Sequence, residues 1–345
     1  MGNNTVKNLL SGKSADLGIT PALLQTWTRT ALSTRQVDPY CCTPFWQLPF
    51  HDAFRPDRRL LIRESSNNLL LFAENRVSAE NVVLTPIEQN WLFGCPLLGK
   101  QSVELLADTV DEISRHYPTF PRIVISGIRP GGVLAKRLLN TFSTEFHLFL
   151  LLESSSTQCN ASLAGGFDGF LSRRSSRQRR KLKKLNQSAT DQGIDFEQVA
   201  PTTREEAEQT FSRMLAIEQT SWKGLQQCGM DQEPATSFYK NMITRLASSR
   251  RARTIFAQHE GNDIGYIFGG LAGNLYRGQQ FSYSEAWKNA SIGNLLQIEQ
   301  IQWLCEEQCK RYDMGPISGE KMAYKHHWAE RQGRLESWML VKRGH

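Results

Sequence analysis

Apolar residues recur along this chain with two different periods, and their order sketches a fold before any chemistry is considered. After a polar opening with one weakly amphipathic piece around Pro21 to Leu32, two short β-rich runs appear at Arg59 to Glu64 and Asn68 to Glu74. Ser-Ser-Asn separates them, which predicts a hairpin. Val103, Leu105, Leu106, Val110 and Ile113 repeat at helical spacing and predict a helix over Ser102 to His116. A buried strand at Arg122 to Ser126, a helix at Gly131 to Phe142 and a strand at Glu145 to Leu152 follow. The stretch from Ser154 to Gly166 is rich in Ser, Thr, Asn and Gly and carries no periodicity, so it is the natural boundary.

Beyond that boundary the pattern predicts a long basic helix over Ser172 to Ala189, with Ser172 as its N-cap. A strand at Ile194 to Val199 and helices at Thr203 to Glu218 and Thr236 to Arg250 come next. Three strand-like runs, Thr254 to His259, Ile264 to Gly270 and Leu275 to Ser284, are joined by turn residues and predict an antiparallel meander. A helix at Ser291 to Cys309, a short strand at Tyr312 to Gly315 and a final strand at Leu335 to Val341 complete the chain. The class is α/β in the broad sense (α+β). At 345 residues a single core is outgrown, which predicts a polar lead-in over residues 1–40, one domain over 41–160 and a second over 161–345.

Charge changes this picture in one place. The net charge is +7, and Arg173, Arg174, Arg177, Arg179, Arg180, Lys181, Lys183 and Lys184 alone contribute more than that, so the rest of the chain is nearly neutral. Solvated helices normally intersperse acids among their bases, and this segment has none. With Arg173, Arg177, Arg180 and Lys184 on one helical face, it is expected to dock something acidic: the phosphates of coenzyme A, an acyl carrier protein, an acidic leader peptide or RNA.

Seven cysteines without a CxxC pair support neither a disulfide framework nor a zinc site, and Cys305 with Cys309 lacks a matching pair, so no metal is expected. The longest apolar run, Phe146 to Leu152, is far short of the roughly 20 residues of a membrane span. Met1 to Asp16 lacks the order of a secretion signal. A cytoplasmic location without a membrane span is the expectation.

Four segments carry a family resemblance. They are the basic helix with its lead-in from Phe170 to Lys184, Glu218-Gln-Thr-Ser-Trp-Lys-Gly224, Ser291-Ile-Gly-Asn-Leu-Leu296, and Tyr312-Asp-Met-Gly315 with Tyr324-Lys-His-His-Trp328. Their order resembles the catalytic half of the CelD/BcsL-type acetyltransferases, a tandem-domain branch of the GNAT superfamily related to FemAB-like transferases. The resemblance implies tandem GNAT-like domains, each a central mixed, mostly antiparallel sheet flanked by helices, with the first a diverged repeat. It also implies an N-acyltransferase that moves an acyl group from acyl-CoA or an acyl-phosphopantetheine carrier to an amine of a peptide, sugar or small molecule. The usual Arg/Gln-x-x-Gly-x-Gly/Ala signature is reduced here to Asn289-Ala-Ser-Ile-Gly-Asn294.

Such a donor carries phosphates, and a helix N-terminus offers amides and a favourable dipole to anions. Ser291, Ile292, Gly293, Asn294 and Leu295 form that end, where Gly293 would let a pyrophosphate approach the backbone. Aminolysis needs a base, charge for the oxyanion and a proton for the leaving thiolate. Asp313 is a candidate base with Glu285 as its alternative, Lys325 supplies positive charge as the resemblance implies, and Tyr324 is a candidate acid. The resemblance places Trp222 and Lys223 near the acceptor. Two other readings remain open: an aminoacyl-tRNA-dependent transferase of the FemAB type, and a non-catalytic nucleic-acid-binding or scaffold protein. Nucleic acid is the less expected partner because no DNA- or RNA-binding motif accompanies the charge.

Overall fold

In a computed structural model that describes residues 17–35, 38–78, 80–317 and 320–344, the chain divides into two compact units. One comprises Met1–Gln158 with Gly333–His345, the other Cys159–Gln332. The reading of residues 1–16 lies outside the described residues.

The first stretch of chain forms α1 (Pro21–Ser33), α2 (Pro44–Phe54), β1 (Leu60–Ser65), β2 (Asn68–Arg76), β3 (Val82–Pro86), β4 (Leu97–Leu98), α3 (Ser102–His116), β5 (Arg122–Ile128), α4 (Val133–Phe142) and β6 (Phe146–Ser162). The second forms α5 (Gly166–Ser172), α6 (Ser176–Asp191), β7 (Ile194–Val199), α7 (Arg204–Thr220), α8 (Trp222–Leu225), α9 (Ala235–Ala247), β8 (Ala252–His259), β9 (Asn262–Ala272), β10 (Leu275–Tyr283), α10 (Ile292–Glu306), β11 (Arg311–Ile317) and β12 (Arg331–Lys342).

In the first unit the sheet order is β1-β2-β3-β5-β12, with β4 on β2. All these pairs are antiparallel except β3 with β5. In the second unit the order is β11-β10-β9-β8-β7, again antiparallel but for β10 with β11. Both units therefore have the expected architecture of a mixed, mostly antiparallel sheet flanked by helices.

Several elements differ from the sequence expectation, four of them for a clear physical reason. The helix α2 buries eight consecutive residues from Pro44 to His51, Gln47 and His51 among them, so it is buried on every side and shows no helical period. Strand β6 runs on through the polar stretch from Glu153 to Ser162 in place of the expected boundary loop, because strand pairing is a backbone property that needs no alternating side chains. The basic segment breaks after α5, and Ser175, not Ser172, caps α6 by accepting from the Gln178 N–H. The terminal strand β12 pairs with β5, Trp338 opposite Ile125 and Leu340 opposite Ile123, a non-local partnership that no local pattern encodes.

The core of the second unit lies in two clusters, and α10 feeds both. Ile298, Ile301 and Leu304 pack with Phe170, Tyr276, Tyr312 and Trp328, while Ile292, Leu295 and Leu296 pack with Ile255, Ile264 and Ile267. That two-sided burial fixes where α10 begins. The helix α7 opens with a capping box in which Thr203 and Glu206 satisfy each other's backbone amides. Thr203→Ala should cost about 1 kcal/mol of stability, measurable as a lower midpoint in urea unfolding at unchanged slope.

Candidate functional site

Strands β10 and β11 pair over only three residues, ending where Arg277 sits opposite Asp313. Adjacent residues of parallel strands share a face, and these two form an ion pair of 2.8 Å with both side chains almost fully buried. The same Asp313 oxygen accepts the Gly315 N–H at 2.8 Å. Gly315 has φ +77°, and a Cβ there would come within 3.1 Å of the Arg277 guanidinium carbon, so only glycine allows β11 to turn at this point. Across from it β10 carries a bulge between Gly278 and Gln280. The bulged residue, Gln279, has a buried side-chain nitrogen without a hydrogen-bond partner among the described residues. The two strands thus part just beyond their last rung.

These contacts engage Asp313, the expected base. Its carboxylate is committed to Arg277 and to the Gly315 amide, and the partner that commits it lies 36 residues earlier in the chain.

Lys325 stands beside this pair. It is buried, its Nζ donates to the Pro316 carbonyl, and Met322 Sδ lies 3.9 Å away. Burial, reinforced by the nearby Arg277 charge, lowers its pKa to about 8. The buried Cys159 thiol lies in the same neighbourhood, its own pKa raised by burial despite the Lys325 charge. Tyr324 packs edge-on against Phe281, 5.3 Å between ring centroids. Burial raises the Tyr324 pKa above the ordinary phenol value, which makes it a poor proton donor to a thiolate.

A cavity of about 940 Å³ opens along α6. Arg177, Arg180, Lys181 and Lys184 line it, with Ser175, Ser188 and Asn294 among its polar groups and no carboxylate. His327 and Trp328 complete the wall. Asn294 brings the start of α10 to this cavity. A Cβ on Gly293 would meet Phe281 Cε2 at 3.0 Å and Tyr283 Cε1 at 3.3 Å, so Gly293 serves close packing on β10, and through Phe281 the helix start adjoins Tyr324. Ser291 starts α10 in a left-handed conformation (φ +59°) and makes no side-chain cap. Ile292 and Leu295 are core side chains; only their backbone belongs to the helix end.

The other predicted residues fall elsewhere. Arg173 is not a cavity cation: it binds Glu330 at 2.9 Å and the carbonyls of Ala164 and Ser162. Arg174 likewise donates to the Trp328 carbonyl at 2.8 Å and to Glu330 at 3.1 Å. Glu285 lies on a short 3-10 helix after β10, half-exposed and 3.0 Å from Lys288. Trp222 opens α8. Lys223 reaches β10, donating to Gln280 Oε1 and the Phe281 carbonyl, each at 3.0 Å. Sequence reasoning missed Arg277, Gln279 and Cys159, none of which belongs to a recognisable motif.

Comparison with known proteins fits this geometry. The acetyltransferase (GNAT) domain family matches residues 174–326, which run from the start of the basic segment to the Tyr324-Lys325 motif. The matched segment lies within the second unit. No curated protein matches the sequence. Among solved structures, the chain shares its fold with a conserved protein of unknown function from Bacteroides thetaiotaomicron VPI-5482, at 9% identity, 94% and 98% coverage of this chain and that one, and TM-score 0.65. FemX is similar at 12% identity, 91% and 95% coverage and TM-score 0.62. L-PGS from Bacillus licheniformis is similar at 12% identity, 98% and 95% coverage and TM-score 0.55. At such identities the likeness is one of fold. Among the described residues no helix is long and apolar enough to cross a membrane, and no group of three or more His, Cys, Asp or Glu could hold a metal ion.

Replacing Asp313 with Asn leaves the Arg277 charge buried without a counter-ion, a change that typically costs about 3–5 kcal/mol. Urea unfolding should register a loss of that size. A variant as stable as the wild type would show that the pair does not fix this end of the strands.

Proposed function

We propose that this GNAT domain is an N-acyltransferase whose phosphate-bearing acyl donor lies along α6 with its reactive end where β10 and β11 part. The observation that carries the proposal is the acid-free, cation-lined cavity that shares the start of α10 and is walled by His327 and Trp328, the latter bonded through its N–H to the Lys325 carbonyl at 3.1 Å. Arg177, Arg180, Lys181 and Lys184 supply charge for the phosphates, and Asn294 with the α10 amides adds the helix-end contribution. An extended donor arm finds backbone groups of β10 and β11 that do not pair with each other beyond Arg277 and Asp313.

The reaction is direct aminolysis. The amine nitrogen attacks the acyl carbonyl, the oxyanion develops near the Lys325 ammonium, and collapse expels the donor's sulfur or oxygen, which takes a proton. With a pKa of about 8, Lys325 is charged at neutral pH and still able to give that proton up. The amine must lose one proton, and Glu285 is the candidate base, since its half-exposed pair with Lys288 holds it only weakly. Trp222 borders the acceptor side in this reading. The acceptor is an amine of a peptide, sugar or small molecule, and the site belongs to a cytoplasmic protein.

The donor is a thioester of coenzyme A or of an acyl carrier protein. A second reading, an aminoacyl-tRNA donor, draws on the FemAB-like resemblance, the fold shared with FemX and the reduced Asn289–Asn294 signature. Incubating the protein with panels of acyl-CoA, acyl carrier and aminoacyl-tRNA donors, with mass analysis of acceptors, separates them. Binding that drops by orders of magnitude between low and moderate salt marks the tRNA donor. Inertness toward every donor alongside tight nucleic-acid binding marks a non-catalytic protein and removes the proposal.

Two outcomes test the site itself. Arg180→Glu with Lys184→Glu should raise the donor KM at least tenfold with little change in kcat, since these groups touch phosphates rather than the reacting atoms. Turnover should fall as pH rises through about 8, where Lys325 loses its proton. In Lys325→Arg, whose guanidinium stays charged, that falling limb should disappear from the kcat profile.

A further inference from the structure

A fully buried carboxylate, at the head of the Glu218–Gly224 segment but given no role above, ties together several segments of the second unit. Glu218, at the end of α7, accepts from Tyr266 Oη at 2.9 Å and from the Met230 N–H at 3.1 Å, and pairs with Lys223 Nζ at 3.1 Å. Lys223 is in turn held by Gln280 Oε1 and the Phe281 carbonyl. An ammonium has three protons, and three acceptors surround this one. Gln280 is fixed at its other end, where Nε2 donates to Tyr239 Oη at 2.6 Å.

The register shows which edge this cation occupies. The β9–β10 hairpin turns on Gly273-Asn274, so Ala272 and Leu275 form its first hydrogen-bonded pair. Alternating through the bulge places Phe281 opposite Ile267 at a non-hydrogen-bonded position, in keeping with the bond from Ser284 N–H to the Ile264 carbonyl at 2.9 Å. The Phe281 carbonyl therefore points away from β9, to the side on which β11 lies in the sheet order. Lys223 satisfies it there. The carbonyl is no longer open to a strand partner, and β10 keeps its bulged path beyond Arg277.

We propose that Glu218, acting through Lys223, is a positioning residue that holds the free edge of β10 at Gln280–Phe281 in the geometry acyl transfer uses. The inference rests on the transferase reading for its catalytic consequence, but its structural half stands alone. Without the carboxylate, Lys223 has no counter-charge in its half-buried position. Without the lysine, Phe281 and Gln280 each lose the donor that orients them.

Hydrogen exchange by mass spectrometry on peptides covering residues 279–283, together with steady-state kinetics, tests this on the full chain. Glu218→Gln and Lys223→Met should each speed exchange in those peptides and lower kcat about 10- to 100-fold, the cost of a small misplacement of reacting groups, with donor KM nearly unchanged. The double variant should be no worse than Lys223→Met alone, because both changes break one linkage. Lys223→Arg, which retains charge and donors, should recover part of kcat. Wild-type exchange rates in both single variants overturn the inference whatever the activity. Additive losses in the double variant also overturn it. Faster exchange in a protein that turns over no donor keeps the positioning role and removes the transferase reading.

Discussion

The second unit depends on one buried rung. Arg277 and Asp313 give up their hydration to meet across β10 and β11, and such a pair survives burial only when geometry and additional hydrogen bonds compensate the desolvation. Here the register puts the two side chains side by side, and the Gly315 amide adds a second donor to the same carboxylate oxygen. The pair acts as a stop. It secures the last rung of a parallel ladder, and just past it each strand spends a backbone group on a side chain in place of its neighbour: Gly315 N–H on Asp313, the Phe281 carbonyl on Lys223. The parting of the strands follows from which groups have already been satisfied, and no looseness in the sheet needs to be invoked.

The basic segment divides its labour by position. Arg173 and Arg174 close onto Glu330 and nearby carbonyls and thereby fix the lead-in to α6. Arg177, Arg180, Lys181 and Lys184, further along the segment, line the cavity with no acid among them. A salt-bridged pair at the root lets the remaining like charges stand close together, where they raise the local potential for an anion. The opposite wall comes from α10, whose start is fixed because the helix buries side chains in two clusters at once.

The fold was most legible where structure is local. The meander, α3, α7 and α10 follow from period, turns and caps, and the structure has all of them. The helix α2 was hidden because a helix buried on every side has no period to detect. The role of Asp313 was hidden because its partner Arg277 lies 36 residues away, and Glu218 because Tyr266 lies 48 away; neither separation leaves a trace in a single sequence. Gly293 was recognised as a place of close approach, but its neighbour is the Phe281 ring. The basic face was legible as a concentration of charge, whereas the cavity it lines required the tertiary placement of Asn294, His327 and Trp328.

Two lysines in one unit show how surroundings assign different tasks to the same side chain. Lys223 meets a carboxylate and two further acceptors, so its charge is balanced and its position held. Lys325 meets a carbonyl and a thioether, lies near the Arg277 charge, and shares the field of Asp313 with that arginine. The first arrangement holds the ammonium in place and suits a structural node. The second leaves the ammonium only marginally favoured at neutral pH, the condition under which a group can both steady a growing negative charge and surrender a proton. Because desolvation sets that balance at Lys325, its chemistry depends on the packing around Cys159, Tyr324 and Trp328 as much as on any single contact, and the site is therefore a property of the second unit's core.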